Sequence, residues 1–208
     1  MRSLKMIAII DYGMGNIHSV QKALELMGAN TVVTNRLKDI QAAQKLVLPG
    51  VGAFDDAIVE LKNQGLVAVV KDQIKNKKPF LGICLGMQLL FDESQEAKES
   101  KGLSVLSGTV KRFAPSRGLK VPHMGWNELK IKNKNCPLLK GIMERAYVYF
   151  CHSYYPEPDN RAMTAAVCEY GREFSCMVWQ DNIYGVQFHP EKSQEVGLKI
   201  LKNFVELC

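Results

Sequence analysis

The chain of 208 residues is 47% hydrophobic and 23% charged, the balance of an ordinary globular protein, and its length is most economically one domain spanning residues 1–208. The net charge of +6 has no concentrated source: the longest basic run, "KDQIKNKK" (71–78), includes an acid and amides, reads as the solvated end of a helix and has no interleaved aromatics, so nucleic acid is not expected as a partner. None of the six cysteines forms a CxxC pair, which argues against a metal site, and no apolar run approaches the ~20 residues that span a bilayer.

The opening "MRSLK" is short and charged and predicts no signal peptide, so a cytoplasmic chain with reduced thiols and no membrane contact is expected. "MIAII" (6–10) reads as a strand buried on both faces, followed by the glycine turn "DYGMGN". Ile17, Val20, Leu24 and Met27 then recur at helical spacing, and Gly28 stands where such a helix stops. "NTVVT" (30–34) and "KLVLPG" (45–50) are the next strands. A helical stretch covers most of 53–77 with a break near Gly65. "PFLGIC" (79–84) is a fourth strand, and a further helix is expected over 86–91. Strand–helix repetition of this kind implies an open α/β sheet of largely parallel strands flanked by helices.

After Gly102 the texture changes. "GTVKRF", "WNELKIK", "AYVYFCHSYY", "AAVCEY", "FSCMVWQ" and "IYGVQFH" are short, β-branched and aromatic, and predict added strands, in part antiparallel, without intervening helices. A last helix packs through Val196, Ile200, Leu201 and Phe204, with Ser193 as a candidate N-cap.

The chemistry concentrates at "GICLG" (82–86). A cysteine set between glycines at a strand-to-helix turn has the pattern of a nucleophile elbow: the glycines allow a sharp turn and keep side chains away from the sulfur, and the helix start offers N–H groups to a thiolate and to a developing oxyanion. On those residues alone Cys84 reads equally as a small core residue. Of the four histidines, His18 reads as a surface residue, and His123 and His152 as either structural or pocket-lining. His189 ends an apolar strand, and Glu191, two positions on, faces the same way in extended chain; a lone "HPE" reads as a capped strand end with a surface Glu, but beside a cysteine elbow in the same chain Glu191 reads as the residue that holds the His189 tautomer. "LPGVGAF" (48–54) is either a plain loop or one whose glycines bring backbone N–H groups to an oxyanion. Cys151, Cys168 and Cys176 lie in strand-like runs and read as core.

Together, "PGVG", "GICLGMQLL" and "VQFHPEKS" resemble the class I, triad-type glutamine amidotransferases, and "DYGMGN", "VPHMGWN" and "YFCHSYYPEP" resemble the branch of that family that serves histidine biosynthesis; the similarity runs from Ile10 to the last helix. The resemblance implies hydrolysis of L-glutamine to glutamate and ammonia, with Cys84 attacking the carboxamide, His189 moving the proton and Glu191 orienting His189. It places Gly52, Leu85, Gln88, Glu96, Ser153 and Tyr154 around the glutamine. Leu85 is the first oxyanion donor, and the second comes from the loop Pro49, Gly50, Val51 and Gly52, which in this family often needs a partner to reorient it. It also implies a (β/α)8-barrel cyclase subunit as partner, fed with ammonia through an internal channel, with Tyr149 and Lys192 near the interface, and no metal or organic cofactor. Two other readings stay open at this point: the same glutaminase chemistry serving a different synthase, such as a cell-surface sugar amidotransferase, and a non-catalytic regulatory subunit of the same fold.

Overall fold

Apolar runs of four to six residues separated by amphipathic helices build the first half of the molecule. The computed structural model describes residues 6–114 and 119–208. In it β1 (Met6–Ile10), α1 (Ile17–Leu26), β2 (Asn30–Thr34), α2 (Leu37–Ala42), β3 (Lys45–Gly50), α3 (Phe54–Asn63), α4 (Leu66–Lys75) and β4 (Phe80–Cys84) alternate as expected. The six-residue α2, which buries only Ile40, has no counterpart in the sequence reading. Gly28 (φ +84°) ends α1 and Gly65 (φ +68°) separates α3 from α4, both in the left-handed region that glycine enters without cost.

The elbow leads into a helix, α5, that spans only Leu85–Gln88 rather than reaching residue 91. The second half supplies β5 (Glu93–Ser94), β6 (Gly108–Arg112), β7 (His123–Glu128), β8 (Lys130–Ile131), β9 (Tyr147–His152), β10 (Tyr154–Pro158), β11 (Thr164–Glu169), β12 (Glu173–Gln180), β13 (Ile183–Val186) and the closing helix α6 (Gln194–Leu207). "WNELKIK" therefore splits between β7 and β8, and the strand of "IYGVQFH" stops three residues before His189.

The main sheet has eight strands in the order β2-β1-β3-β4-β13-β12-β11-β8. Its first five are mutually parallel, and β12, β11 and β8 extend it antiparallel. The described residues also form two smaller sheets, β10-β6-β5 and β7-β9. Alternate residues of the parallel strands feed two cores, because successive strand side chains point to opposite faces. Ile7, Ile9, Val47, Leu81 and Ile83 pack with Val20 and Leu24 of α1 and with Ile200, Leu201 and Phe204 of α6. Ala8, Ile10, Leu46, Leu48 and Phe80 pack with Phe54 and Leu61 of α3 and with Leu66 and Val70 of α4. Lys45, fully buried at the start of β3, donates Nζ to the carbonyls of Phe204 (2.6 Å) and Val205 (2.8 Å), placing a cation at the carbonyl end of α6.

This topology sets the carboxyl ends of β3, β4 and β13 side by side, with Gly50 opposite Cys84 and Val186 opposite Ile83 in register. Ligands of open α/β sheets bind outside such carboxyl ends. No helix among the described residues is long and apolar enough to cross a membrane.

Candidate active site

Cys84 closes β4 with φ +55° and ψ −112°, a conformation that costs a non-glycine residue roughly 1–3 kcal/mol and persists only where the surroundings enforce it. The enforcement comes from close backbone packing. A Cβ on Gly82 would lie 2.6 Å from the Gly86 carbonyl oxygen, and one on Gly86 would collide with the Leu48 carbonyl of β3. The flanking glycines thus serve to press the elbow onto β3 and onto itself, not to clear space around the sulfur. Because α5 is a single turn, its dipole is short; the local groups are the N–H donors of its first turn, Leu85 among them, which have no partner inside the helix.

His189 reaches the sulfur from the neighbouring strand end. Residues Pro190–Lys192 form a 3₁₀ turn, so the contact between Glu191 and His189 arises from a turn and not from extended chain. Glu191 Oε1 lies 2.9 Å from His189 Nδ1, and His189 and Cys84 line one cavity, leaving Nε2 as the nitrogen not taken by Glu191. Both side chains are buried, at 6% and 1% exposure. Burial opposes charge on this imidazole, but the nearby Cys84 and the hydrogen-bonded Glu191 outweigh it and raise its pKa to about 10. At neutral pH His189 therefore carries a proton.

A clamp holds the turn in place. The buried Ser193 hydroxyl donates to the His189 carbonyl (2.6 Å) and accepts from Tyr149 N–H (2.9 Å), while His189 N–H donates to the Tyr149 carbonyl (2.9 Å). Ser193 occupies the N-cap position of α6 but its side chain makes no capping bond, because it is spent on this clamp. Gly197 permits the close fit behind it, since a Cβ there would collide with the Pro190 carbonyl.

A cavity of about 320 Å³ opens over Cys84, lined among others by Val51, Gly52, Leu85, Gln88, Glu96, Cys151, Ser153, Tyr154, His189 and Lys192. Gln88 Nε2 donates to the Tyr154 carbonyl (3.0 Å) and to Gln187 Oε1 (3.0 Å), and Gln187 Nε2 stands 3.6 Å from Cys84 Sγ. Burial, with help from Asp55 and Asp56, raises the Glu96 carboxyl above its usual range against the lowering effect of Phe54 N–H, which donates to Oε2 at 3.0 Å. Pro49 and Gly50 lie behind this lining, and Tyr149 lies at its edge with Lys192 Nζ 6.0 Å from its ring centre. A second cavity, of about 380 Å³ between Tyr155 and Arg172, gathers neither cysteine nor histidine.

Residues 8–208 match the family model described as glutamine amidotransferase class-I. The chain belongs to the class-I glutamine amidotransferase family. This amidotransferase is 52% identical over 206 residues to a protein of Geobacter sulfurreducens named imidazole glycerol phosphate synthase subunit HisH, covering 97% of this chain and 98% of that one. It is 50% identical over 203 residues to the protein of the same name from a Cyanothece species, covering 97% and 96%. In fold it is similar to a structure of PurLQS from Thermotoga maritima, with TM-score 0.76 at 18% identity over 97% of this chain and 98% of that one. It is likewise similar to the glutaminase domain of Trypanosoma brucei CTPS with bound acivicin, with TM-score 0.66 at 18% identity over 96% and 93%.

The amidotransferase has site residues that the sequence reading passed over. Cys151, read as core, lines the cavity. Gln187 contacts Cys84, a position signalled only by its two-residue offset from His189. His152 is both structural and pocket-lining: its Nδ1–H donates to the Tyr154 carbonyl (2.7 Å) and its Nε2 accepts from His123 Nδ1 (2.9 Å). At the loop of residues 49–52, Gly52 (φ +98°) packs beneath Met14, and Val51 N–H donates to the Met14 carbonyl (3.3 Å) and so points away from the cavity.

Proposed function

We propose that this chain hydrolyses L-glutamine to glutamate and ammonia and delivers the ammonia to a (β/α)8-barrel cyclase subunit, the pair forming imidazole glycerol phosphate synthase. The observation that carries the reading is the relay from Glu191 through His189 to Cys84, opening on a cavity sized for a small amino acid. Cys84 Sγ attacks the carboxamide carbon, and the carbonyl oxygen takes up negative charge facing Leu85 N–H and a loop peptide from residues 49–52. The C–N bond breaks as His189 gives its proton to the departing nitrogen. Water, giving a proton back to His189, then attacks the thioester carbon, releasing glutamate and restoring the sulfur. Glu191 holds His189 throughout. Glu96 takes the α-ammonium of glutamine, the backbone around Ser153 and Tyr154 takes its α-carboxylate, and Gln88 and Gly52 complete the walls.

Sequence relatedness at about half identity over nearly the whole length supports the histidine-biosynthetic assignment, in which the cyclase uses the ammonia to make imidazole glycerol phosphate and aminoimidazole carboxamide ribotide. The docking face is the edge of the cavity, at Tyr149 and Lys192, and the complex works in the cytoplasm. Because Val51 N–H is turned away, the free subunit is nearly idle and the cyclase, loaded with its nucleotide, switches it on. The test is ammonia release from glutamine with and without the barrel subunit and its nucleotide. Turnover is expected to rise sharply in the complex and to vanish with Cys84→Ala. Normal turnover by Cys84→Ala would remove the assigned nucleophile, and capture of a different synthase in place of the barrel would remove the assigned acceptor.

A further inference from the structure

Among the described residues, two buried side-chain polar atoms have no hydrogen-bond partner, Tyr12 Oη and Glu191 Oε2. Both lie against the loop of residues 49–52. Glu191 shares a small void with Asn16, Pro49, Gly50 and Val51, and the Tyr12 hydroxyl fills the place that a Cβ on Gly50 would take. Tyr12 is 1% exposed and its ring sits in the core beside Phe54 and Leu48. A phenylalanine would pack there equally well, so an unpaired buried hydroxyl calls for a reason, and a second conformation in which it is paired supplies one.

The loop itself provides that conformation. Val51 N–H is bonded to the Met14 carbonyl, and bringing it to an oxyanion over Cys84 requires the peptide between Gly50 and Val51 to turn over. In a trans peptide the N–H and C=O point opposite ways, so the Gly50 carbonyl then swings toward the turn of residues 12–14. The Met14 carbonyl oxygen that faces the loop is an acceptor and cannot serve as donor. Tyr12 Oη abuts Gly50, belongs to the same turn and has its donor free. We propose that Tyr12 is a positioning residue of the oxyanion loop, its hydroxyl donating to the Gly50 carbonyl when the Val51 N–H faces the substrate. Burial, with the charge of Cys84 beside it, pushes the Tyr12 phenol up from its ordinary value, so it keeps the proton it must donate. The role rests on the glutaminase reading above.

The test is Tyr12→Phe, which removes the hydroxyl alone, assayed in the complex with the barrel subunit and its nucleotide. The expected result is a kcat for glutamine about 10-fold lower or more, with KM unchanged and Tm equal to or above that of the wild type, because the hydroxyl is unpaired at rest and used only in the active loop. An unchanged kcat would overturn the proposal, and so would a lowered Tm, which would assign the hydroxyl a structural bond in the resting state. Wild type and Cys84→Ala measured alongside separate the two readings: activity in Cys84→Ala defeats the glutaminase assignment, whereas a normal Tyr12→Phe beside a dead Cys84→Ala defeats this one alone.

Discussion

Glu96 illustrates how one side chain divides its work. One oxygen is held by Phe54 N–H, and the carboxyl, raised by burial and by Asp55 and Asp56, lines the cavity over Cys84. On the proposed function, the α-ammonium of glutamine is its partner. Glu96→Gln is therefore expected to raise KM for glutamine by one to two orders of magnitude while leaving kcat nearly unchanged, since a charge-assisted hydrogen bond contributes about 1.5–3 kcal/mol and this one is made equally in ground and transition state. Steady-state kinetics in the complex would show it, and a fall in kcat at constant KM would contradict it. The approach of Cys84, His189 and Glu191 was legible in the sequence because rare chemical types stood in short local motifs. Tyr12, Gln187 and Cys151 were not, because their meaning depends on which segments meet in space: Tyr12 matters through Gly50, 38 positions on, a separation that no local pattern records.

At the scale of elements, the parallel strands were legible as continuous apolar runs, whereas lengths went astray where apolar residues did not mean helix. Leu89, Leu90 and Phe91 are fully buried yet lie beyond the single turn of α5, where Leu90 and Phe91 N–H turn back to the carbonyls of Met87 and Gln88 three residues earlier. The ribbon β7–β9 carries a polar chain inside an aromatic cluster. His123 stacks on Phe150 and Tyr170, donates to His152 and accepts from Asn127 Nδ2 (3.3 Å). Burial lowers His123 to about 4 and His152 to about 3, so both are neutral when folded. Unfolded histidine titrates near 6.5, so below that pH the unfolded chain binds more protons and stability falls as pH drops from about 6.5 toward 4, by on the order of a few kcal/mol. His189, raised to about 10, acts in the other sense: its contribution is complete below about 6.5 and is lost as pH rises toward 10. Denaturation midpoints should peak near neutral pH and decline on both sides, the acid decline shrinking in His123→Gln. A flat profile between pH 6.5 and 5 would contradict the neutral pair.

The whole molecule presents one face where its site is open. Met124, Trp126 and Tyr147 of the β7–β9 ribbon are exposed at 61%, 46% and 53%, next to Tyr149 and Lys192 at the cavity edge. Exposed large apolar side chains gathered beside a functional opening mark a docking surface. Trp126→Ala should weaken association with the barrel subunit by at least about 10-fold in a titration with only a small fall in Tm of the isolated chain, because nearly half of the residue is exposed and its ring meets Tyr149 edge-on. Undiminished affinity would move the docking face elsewhere.

The cavity supplies its own control for the proposed attack by Cys84, because Cys151 lines it as well. A glutamine-mimicking electrophile applied to the complex, followed by peptide mass spectrometry, should give one covalent adduct on Cys84 and none on Cys151, with labelling abolished by Cys84→Ala. An adduct on Cys151, or no adduct on either sulfur with the partner bound, would contradict the account.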